Sequence, residues 1–430
     1  MTPPFSQSWV TVPEGSPFAL HNLPFGVGRR PDGVLTACVA IGDDVLDVDA
    51  ARSHFSGTAA SGGLLDGAGS LNGFAALGRN AHREVRDRAA ELLSDTSMER
   101  ELRTALVRID DMAMLLPVVV GDYVDFYSSL HHATNLGRLF RPNGEPLLPN
   151  WRQLPVGYHG RAGTIVASGT DVSRPAGLRL VDGVTVDGPT DALDFELEVG
   201  FVCGAGSAIG QRVTTAEAEE HLFGLCLVND WSARDIQALE YQPLGPFLGK
   251  SFATSMSSWI VTLDALDPFR VEPPVQEPAV SDYLRTEGAT GFDLHLEVLL
   301  QTAEMESQGL EAAVISSTDF ADMYWTAPQH VAHMSANGAH LRPGDLFASG
   351  TVSGPTPGSE GSLIELTRRG EEPVALPDGN TRGFLVDGDT VIMRGWAGAD
   401  PSTRIGLGSV TGKITPHHHH HHDTSSKWKD

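Results

Sequence analysis

The sequence contains little cysteine. Three of its 430 residues are cysteines (Cys38, Cys203 and Cys226), and no two of them form a C-x-x-C pair. An odd number without that spacing argues against a disulfide framework and is typical of a protein from a reducing compartment.

Long apolar runs are also missing. The segment MTPPFSQSWVTVPEG lacks the basic stretch and apolar run of a signal peptide, and no run approaches the roughly 18 to 20 residues that cross a bilayer. We therefore expect a cytoplasmic protein with no membrane partner. The histidines at 417–422 are typical of an affinity tag, so residues 417–430 are excluded from the assignment of metal ligands.

Positive charge is scarce. The chain has 30 Lys and Arg against 55 Asp and Glu, a formal net charge of -25. Such a surface repels nucleic acid and anionic membranes, which require basic patches. An anionic substrate would therefore need a site with its own local positive field. The hydrophobic fraction of 41% is ordinary for a globular protein with a large core.

The pattern along the chain predicts a mainly β protein with some helix. We expect a small N-terminal SH3-like β-barrel domain with helices over 1–117, a large mixed β-sandwich or roll over 118–416, and a tail over 417–430. VLTACVAIGDDVLDV predicts a hairpin around a Gly-Asp-Asp turn, and HREVRDRAAELLSDTSMERELRTALVRI predicts a helix. RPGD and VDGD are turn signals before later strands.

Two carboxylates stand two residues apart in LDFELEVGFVCG. Glu196 and Glu198 lie on one side of a strand, with Phe195, Leu197 and Val199 on the other. Like charges on one sheet face repel unless a cation lies between them, but a solvated outer face is an equally simple interpretation.

Asp125 and Tyr127, in GDYVDFYSS, show the same spacing. An Asp that leaves an apolar run is also a common helix cap, so this pair alone does not distinguish a ligand from a cap.

The segment NDWSARDIQALEYQPLG has helical spacing. If it is helical throughout, Asp230, Arg234, Gln237 and Tyr241 share one face; the alternative is a capped surface helix with an Asp-Arg pair. Together with the other three carboxylates, Asp230 would complete an all-oxygen site suited to Ca²⁺, Mg²⁺ or Mn²⁺.

At the level of these motifs the chain resembles the fumarylacetoacetate hydrolase family, in its acetoacetase branch. The resemblance runs through SPFALHNLPFGV, DFYSSLHHATN, LLPNWRQLPVGYHGRA, the ELE strand, NDWSARDIQALEYQPLGPFLGKSF, MYWTAPQHVAHMS and NGAHLRPGDLFASGTVSGP. It implies hydrolysis of the carbon–carbon bond of 4-fumarylacetoacetate to fumarate and acetoacetate, the last step of tyrosine and phenylalanine breakdown. It also implies a homodimer, a Ca²⁺ or Mg²⁺ cofactor and a small β-diketo diacid as substrate.

The resemblance also implies roles for individual residues. His132 matches the general base, oriented by Glu365. Arg234, Gln237 and Lys250 match groups that stabilise negative charge, and Lys250 and Thr254 also match the surroundings of a second cation that shares Asp230. The metal ligands implied are Asp125, Glu196, Glu198 and Asp230, and the substrate contacts are Tyr127, Arg141, Tyr158, Gln237, Tyr241 and Thr351.

One departure and two rival functions remain. His131 precedes the matched histidine, so the chain has a tandem pair where the family pattern has one. The fold is shared by enzymes with other chemistry, so an acylpyruvate hydrolase or an oxaloacetate decarboxylase is an alternative. A non-catalytic cation-binding protein is the second rival, although ion binding alone requires neither His132 nor Glu365.

Overall fold

The computed structural model describes residues 7–141, 143–401 and 403–417. Its N-terminal part contains a meander of short strands and a few helices. The predicted hairpin is confirmed, because the second and third strands pair antiparallel across Gly42 and Asp43. The elements are β1 (Phe25–Arg29), β2 (Leu35–Ile41), β3 (Asp44–Asp47), α1 (Asn72–Ala75), α2 (Arg79–Ser94), α3 (Glu99–Leu102), β4 (Leu106–Arg108) and β5 (Ala113–Met114).

The long helix predicted after residue 82 ends sooner than its periodicity indicated. Helix α2 stops at Ser94, and the chain then forms short 3₁₀ and α turns before β4. Asp95 has extended backbone angles, and its side chain accepts a hydrogen bond from the amide of Ser97. An Asp that caps a new turn in this way competes with the continuing helix, which explains the break.

The rest of the chain forms short strands with few helices, as predicted. The first elements are β6 (Tyr123–Phe126), α4 (Leu130–Phe140), β7 (Gly157–Gly160), β8 (Ile165–Ala167), β9 (Val172–Ser173), β10 (Ala176–Val181), β11 (Val184–Pro189), β12 (Leu193–Asp194), β13 (Leu197–Cys203), β14 (Leu222–Asp230), β15 (Ser232–Ala233) and α5 (Arg234–Glu240). They continue as β16 (Thr254–Met256), β17 (Trp259–Thr262), α6 (Leu263–Leu266), β18 (Arg270–Val271), β19 (Gly291–Phe292), β20 (Leu294–Gln301), α7 (Ala303–Ser307), β21 (Ala313–Asp319), α8 (Ala327–Ser335), β22 (Leu346–Ala348), α9 (Leu363–Leu366), β23 (Val374–Ala375), β24 (Thr381–Arg382), β25 (Thr390–Ala397) and β26 (Ile405–Thr415).

Most of these strands belong to two sheets, and the others form two-stranded pairs. Within the described residues the larger has 13 strands, with the main order β4-β3-β2-β1-β17-β14-β13-β22-β6-β7, and the second has the order β21-β20-β25-β26-β9. The N-terminal strands join the larger sheet through β1 and β17, where Phe25 pairs with Ile260. Among the described residues, the strand pairs do not close the N-terminal strands into the separate SH3-like barrel that the sequence predicted.

The central strands β13 and β14 are buried along their whole length. Phe195, Leu197 and Val199 point into the main apolar core, so the predicted alternation around the ELE strand is confirmed. A strand buried on both faces has no solvated side to hold charge. The charged residues on this strand must therefore be neutralised by neighbouring groups.

Both predicted turn signals lie at turns. Gly344 and Gly388 have φ angles of 88° and 90°, which favour glycine because side chains are strained there. Among the described residues, no helix is long and apolar enough to cross a membrane.

Candidate active site

Four carboxylates converge where neighbouring strands of the larger sheet end. Asp230 is the last residue of β14, Glu198 lies on β13, and Asp125 lies on β6 beside Ala348 of β22. Glu196 precedes β13, where it forms an isolated bridge with Ser362. One carboxylate oxygen from each of the four lies within 4.8 Å of the others. The sheet register thus collects residues that are up to 105 positions apart in sequence (Asp125 to Asp230).

This arrangement excludes the two simpler interpretations of these residues. Glu196 and Glu198 are 4% and 0% exposed, so they do not form a solvated face. Asp125 lies inside a strand, and the residue that caps the following helix α4 is Ser129, whose hydroxyl accepts from the amide of His132.

The acidic group has oxygens to spare for a cation. Oδ1 of Asp125 and both carboxylate oxygens of Glu198 are buried without a hydrogen-bond partner among the described residues. Burial, reinforced by the neighbouring carboxylates, raises the pKa of Asp125 and of Glu198 well above the ordinary range. Unsatisfied buried carboxylates are costly, and a hard divalent cation coordinated by oxygen removes that cost. The residues therefore fit a divalent cation.

Two cations already lie against this group. Lys250 Nζ donates to Glu196 and, at 2.6 Å, to Asp230, while Arg234 Nη1 lies 2.7 Å from Glu196 Oε1. Burial opposes ionisation of Glu196, but Lys250 and Arg234 outweigh it and lower the pKa of that carboxyl. Because an ammonium group has no free lone pair, Lys250 can neighbour a second cation but cannot ligate it through Nζ.

The predicted helical face is wrong at its first residue. Asp230 ends a strand, β15 follows, and helix α5 starts only at Arg234. Arg234 and Gln237 do share that helix, with Arg234 Nη1 donating to Gln237 Oε1 at 3.1 Å, and Tyr241 follows its end. Asp230 reaches the same place through the sheet, because β14 pairs with β13, which carries Glu198.

The predicted His132–Glu365 pair is present. His132 lies in the first turn of α4, and its Nδ1 is 2.6 Å from Oε2 of Glu365, with both side chains buried. Since a carboxylate can only accept, Nδ1 carries the hydrogen, and in a neutral imidazole Nε2 is then the acceptor. The tyrosine ring of Tyr127 meets the imidazole edge to face at 5.3 Å. His131 is only half-buried, so the tandem histidines have different environments.

Three further polar residues hold Glu365, and sequence reasoning missed them. Asn135 donates to Oε1 at 3.0 Å, and Ser353 and Ser362 donate to Oε2 at 3.0 and 2.6 Å. Burial opposes ionisation, but His132, Ser362 and Asn135 lower the pKa of Glu365. Asn135 could have been noticed, since it lies one helical turn after His132; the two serines carry no distinctive signal.

A cavity of about 540 Å³ opens beside this machinery. Its polar end contains Asp125, His132, Glu196 and Lys250, and all six residues predicted to contact substrate line it: Tyr127, Arg141, Tyr158, Gln237, Tyr241 and Thr351. The other predicted residues lie behind this lining: Glu198, Asp230, Arg234, Thr254 and Glu365. Arg234 contacts the cavity only through Glu196 and Gln237.

Individual lining residues differ in how they are held. Tyr158 donates to Asp230 Oδ2 at 2.9 Å, whereas the hydroxyl of Thr351 is buried without a partner among the described residues. Gly350, just before it, has φ of 76°, and a Cβ there would lie 2.1 Å from the carbonyl oxygen of Phe126. Only glycine allows this approach of β6 to the chain after β22.

Arg141 lies at the C-terminal end of α4, away from the carboxylate cluster. Its Nη2 donates to the carbonyl of Pro146 at 2.6 Å, and its Nε approaches the carbonyl of Glu145 at 3.5 Å. Backbone carbonyls leave the positive charge of the guanidinium uncompensated. The adjoining wall is apolar and contains Leu136, Phe140, Leu148, Val156 and Leu244.

A second cavity, of about 420 Å³, lies behind Tyr158 and Lys250. It also contains Asp230 and His159, and Thr254 donates to Asp230 Oδ1 at 3.0 Å. His330 is buried apart from both cavities, stacked on Phe126 at 4.1 Å, and its Nε2 lies 2.7 Å from the hydroxyl of Ser128.

Known sequences match this chain over most of its length. The family profile described as fumarylacetoacetase N-terminal matches residues 21–117, and the profile described as fumarylacetoacetate (FAA) hydrolase C-terminal matches residues 123–415. This chain belongs to the fumarylacetoacetate hydrolase family. Members similar to it include the fumarylacetoacetases of Bos taurus, 46% identical, and of Homo sapiens, 45% identical, each over 95% of this chain and 99% of the relative.

A solved member of the family has a related fold. The fumarylacetoacetate hydrolase from the psychrophile Exiguobacterium antarcticum superimposes with a TM-score of 0.52 at 16% identity, covering 92% of this chain and 99% of that chain. At this identity the likeness concerns the fold alone. It agrees with the predicted β-dominant class.

Proposed function

We propose that this chain hydrolyses 4-fumarylacetoacetate to fumarate and acetoacetate. The observation that carries the proposal is a buried His–Glu pair facing a four-carboxylate cluster across one cavity, in a chain 41–46% identical to fumarylacetoacetases. A pure cation-binding protein has no use for the pair. The family also contains other chemistries, so the substrate is the part that requires testing.

Asp125, Glu196, Glu198 and Asp230 would hold the cation, Ca²⁺ or Mg²⁺. When bound, it supplies a Lewis acid that withdraws electron density from the β-diketone. A second cation beside Asp230, with Lys250 and Thr254 as neighbours, is also proposed from the family resemblance; Asp230 lines the second cavity and accepts from Thr254 through Oδ1.

His132 is the proposed general base. Its Nε2 takes a proton from water while Glu365 holds Nδ1–H and stabilises the imidazolium that forms. The hydroxide oxygen bonds to the carbonyl carbon on the fumaryl side, and the π electrons move to the carbonyl oxygen. As that oxygen regains its double bond, the carbon–carbon bond breaks, its electron pair leaves with acetoacetate as an enolate, and the imidazolium donates its proton to the carbanionic carbon of that enolate.

Two donors, and an arginine behind them, are proposed to stabilise the negative charge. Lys250 and Gln237 line the cavity, and Arg234 supports both through Glu196 and Gln237. Preorganised donors of this kind are worth about 2.7–4 kcal/mol each in the transition state. The tyrosines Tyr127, Tyr158 and Tyr241, with Arg141 and Thr351, would position the carboxylates.

The test is product analysis by NMR. Purified protein is incubated separately with fumarylacetoacetate, with short acylpyruvates and with oxaloacetate. We expect fumarate and acetoacetate in equal amounts from the first and little turnover of the others. Cleavage of acylpyruvate or release of CO₂ from oxaloacetate, with fumarylacetoacetate untouched, would contradict the proposal.

We also propose a cytoplasmic homodimer. All three cysteines are free and buried, which supports a reducing compartment. Leu178, Leu180 and Val184 expose apolar surface on the β10–β11 hairpin, which supports self-association. Sedimentation equilibrium tests the dimer, and a single species of about 46 kDa, the mass of one chain, would contradict it.

A further inference from the structure

Asp194 is a buried carboxylate to which the proposed mechanism gives no role. It ends β12, two residues before Glu196, and is 0% exposed. Each of its oxygens accepts two hydrogen bonds. Oδ1 accepts from the amides of Phe195 and Leu363 at 2.8 and 2.7 Å, and Oδ2 from Arg234 Nε and the amide of Ile364 at 2.7 and 3.1 Å.

One of these contacts fixes Arg234. The guanidinium lies between two carboxylates, with Nε on Asp194 and Nη1 on Glu196. Its Nη2 is buried without a partner among the described residues. Asp194 therefore sets the orientation in which Arg234 meets both Glu196 and Gln237.

Two other contacts fix the segment that carries Glu365. Leu363 and Ile364 are the first residues of α9, and Glu365 is the third. The first amides of a helix have no partner within it, and here the carboxylate of Asp194 accepts from both. Because α9 is a single turn of four residues, this anchor fixes its start and, together with the donors to Glu365, the position of Glu365 relative to His132.

Asp194 therefore touches both halves of the site at once, the arginine beside the carboxylate cluster and the backbone of the base-orienting glutamate. A buried ion pair contributes little net stability compared with apolar residues of the same size, because desolvation offsets the attraction. Its presence here is better explained by the geometry that it imposes.

We infer that Asp194 is a positioning residue that holds Arg234 and the His132–Glu365 pair in a single geometry. It acts through those groups and touches neither substrate nor cavity. The consequence for turnover rests on the proposed function, whereas the consequence for the His132–Glu365 hydrogen bond does not.

The test compares Asp194→Asn with Asp389→Asn. Asp389 is a matched control because it is equally buried, accepts from Arg382 Nε and Nη2 at 2.8 and 2.9 Å and from the amide of Val386 at 3.0 Å, and lines neither cavity. Uniform ¹⁵N-histidine labelling reports the downfield Nδ1–H resonance of His132, assigned by its loss in Glu365→Gln. Steady-state kinetics with fumarylacetoacetate are measured in parallel.

We expect Asp194→Asn to shift or broaden the His132 resonance and to lower kcat about 10- to 100-fold, as removal of outer supporting groups typically does, with KM changed less than about 3-fold. Asp389→Asn should leave both unchanged, even if its Tm falls equally. If Asp194→Asn does not fold by circular dichroism, Asp194→Ser, which keeps an acceptor for the Leu363 amide, takes its place.

An unshifted resonance with kcat within about 3-fold of wild type would overturn the inference, as would equal effects in the Asp389 control. A protein that does not cleave fumarylacetoacetate would refute the proposed function only. In that case a shifted resonance in Asp194→Asn alone still supports the positioning role.

Discussion

Two clusters in this protein each combine carboxylates with basic side chains, and they differ in burial and in the balance of positive and negative charge. The buried cluster lies at the site and has five carboxylates and two cations: Asp125, Asp194, Glu196, Glu198 and Asp230 with Arg234 and Lys250. The inter-module cluster joins α2 to the C-terminal part with three carboxylates and three arginines: Glu219, Asp264 and Asp267 with Arg79, Arg83 and Arg270.

The two clusters differ in whether their charges are balanced and paired, and this difference distinguishes a candidate site from a contact that joins two parts of the chain. In the inter-module cluster the charges balance, side chains are partly exposed, and each carboxylate has an arginine within 3.3 Å, as for Arg79 Nη2 and Asp264 Oδ1 at 3.2 Å. In the buried cluster Glu198 has no partner among the described residues. Water and salt screen the first kind, whereas the second kind is stable only if something positive joins it.

Removal of the metal should produce the largest difference between the two clusters. We expect exhaustive chelation to abolish turnover, added divalent cation to restore it, and Glu198→Gln to lose cation affinity while keeping the fold. Elemental analysis of protein freed of its histidine tail, together with calorimetry, checks both. Glu219→Gln, in the balanced cluster, is the control. Full activity of metal-free protein, or wild-type metal content in Glu198→Gln, would remove the distinction between the clusters.

The tandem histidines give the next largest effect. His132→Ala should lower kcat by about 10² to 10⁴-fold, the range for loss of a general base. His131→Ala should lower it far less, because His131 is only half-buried and Glu365 pairs with His132. Steady-state kinetics of the two variants measure both losses of kcat. Equal losses, or a larger loss at His131, would show that the base is wrongly assigned.

Arg141 extends the comparison to a cation that donates to neutral groups. Its hydrogen bonds go to backbone carbonyls, and a charged hydrogen bond to the terminal carboxylate of the substrate is worth roughly 1.5–3 kcal/mol. Arg141→Leu should therefore lower kcat/KM for the long diacid about 10- to 150-fold. A diketo acid without that carboxylate should be almost unaffected. Equal losses on both substrates would mean that Arg141 serves structure or chemistry.

The two arginines that anchor the clusters should differ in stability. Arg234→Ala leaves buried carboxylates unpaired and should cost about 3–5 kcal/mol of unfolding free energy. Arg79→Ala, in the partly exposed cluster, should cost about 1 kcal/mol or less and leave kcat unchanged. Urea titrations of both variants with cation present measure the difference. Similar costs would mean that burial and balance do not distinguish the clusters.

The smallest effect concerns buried histidines. Burial lowers the pKa of His330 from 6.5 to about 3. Between those pH values His330 binds a proton in the unfolded chain but stays neutral in the folded chain. The free energy of unfolding therefore falls as the pH decreases through this window. His330→Asn should reduce that slope by about one proton in urea titrations at several pH values. An unchanged slope would show that His330 is protonated in the fold.

Much of the site was readable from the sequence. The two-residue spacing of Glu196 and Glu198 followed from strand periodicity, and the alternation of Phe195, Leu197 and Val199 predicted which side faces the core. Matching motifs predicted that His132 and Glu365 act together although 233 residues separate them. The hairpin across Gly42 followed from local turn chemistry. These features depend on residue type and short-range geometry, which a sequence states directly.

Other features depended on contacts between distant segments. Whether Glu196 and Glu198 face water or the interior is decided by the strands β14 and β22 on either side of β13. Asp230 has helical spacing to Arg234, but pairing of β14 with β13 and β16 keeps it in a strand. Asp194 gives no signal in sequence, since its four donors come from its neighbour, from α5 and from α9. The sequence by itself predicted which groups are candidates for the chemistry, whereas the tertiary structure decided their burial, and burial is what turns the four carboxylates into a group that could hold a cation.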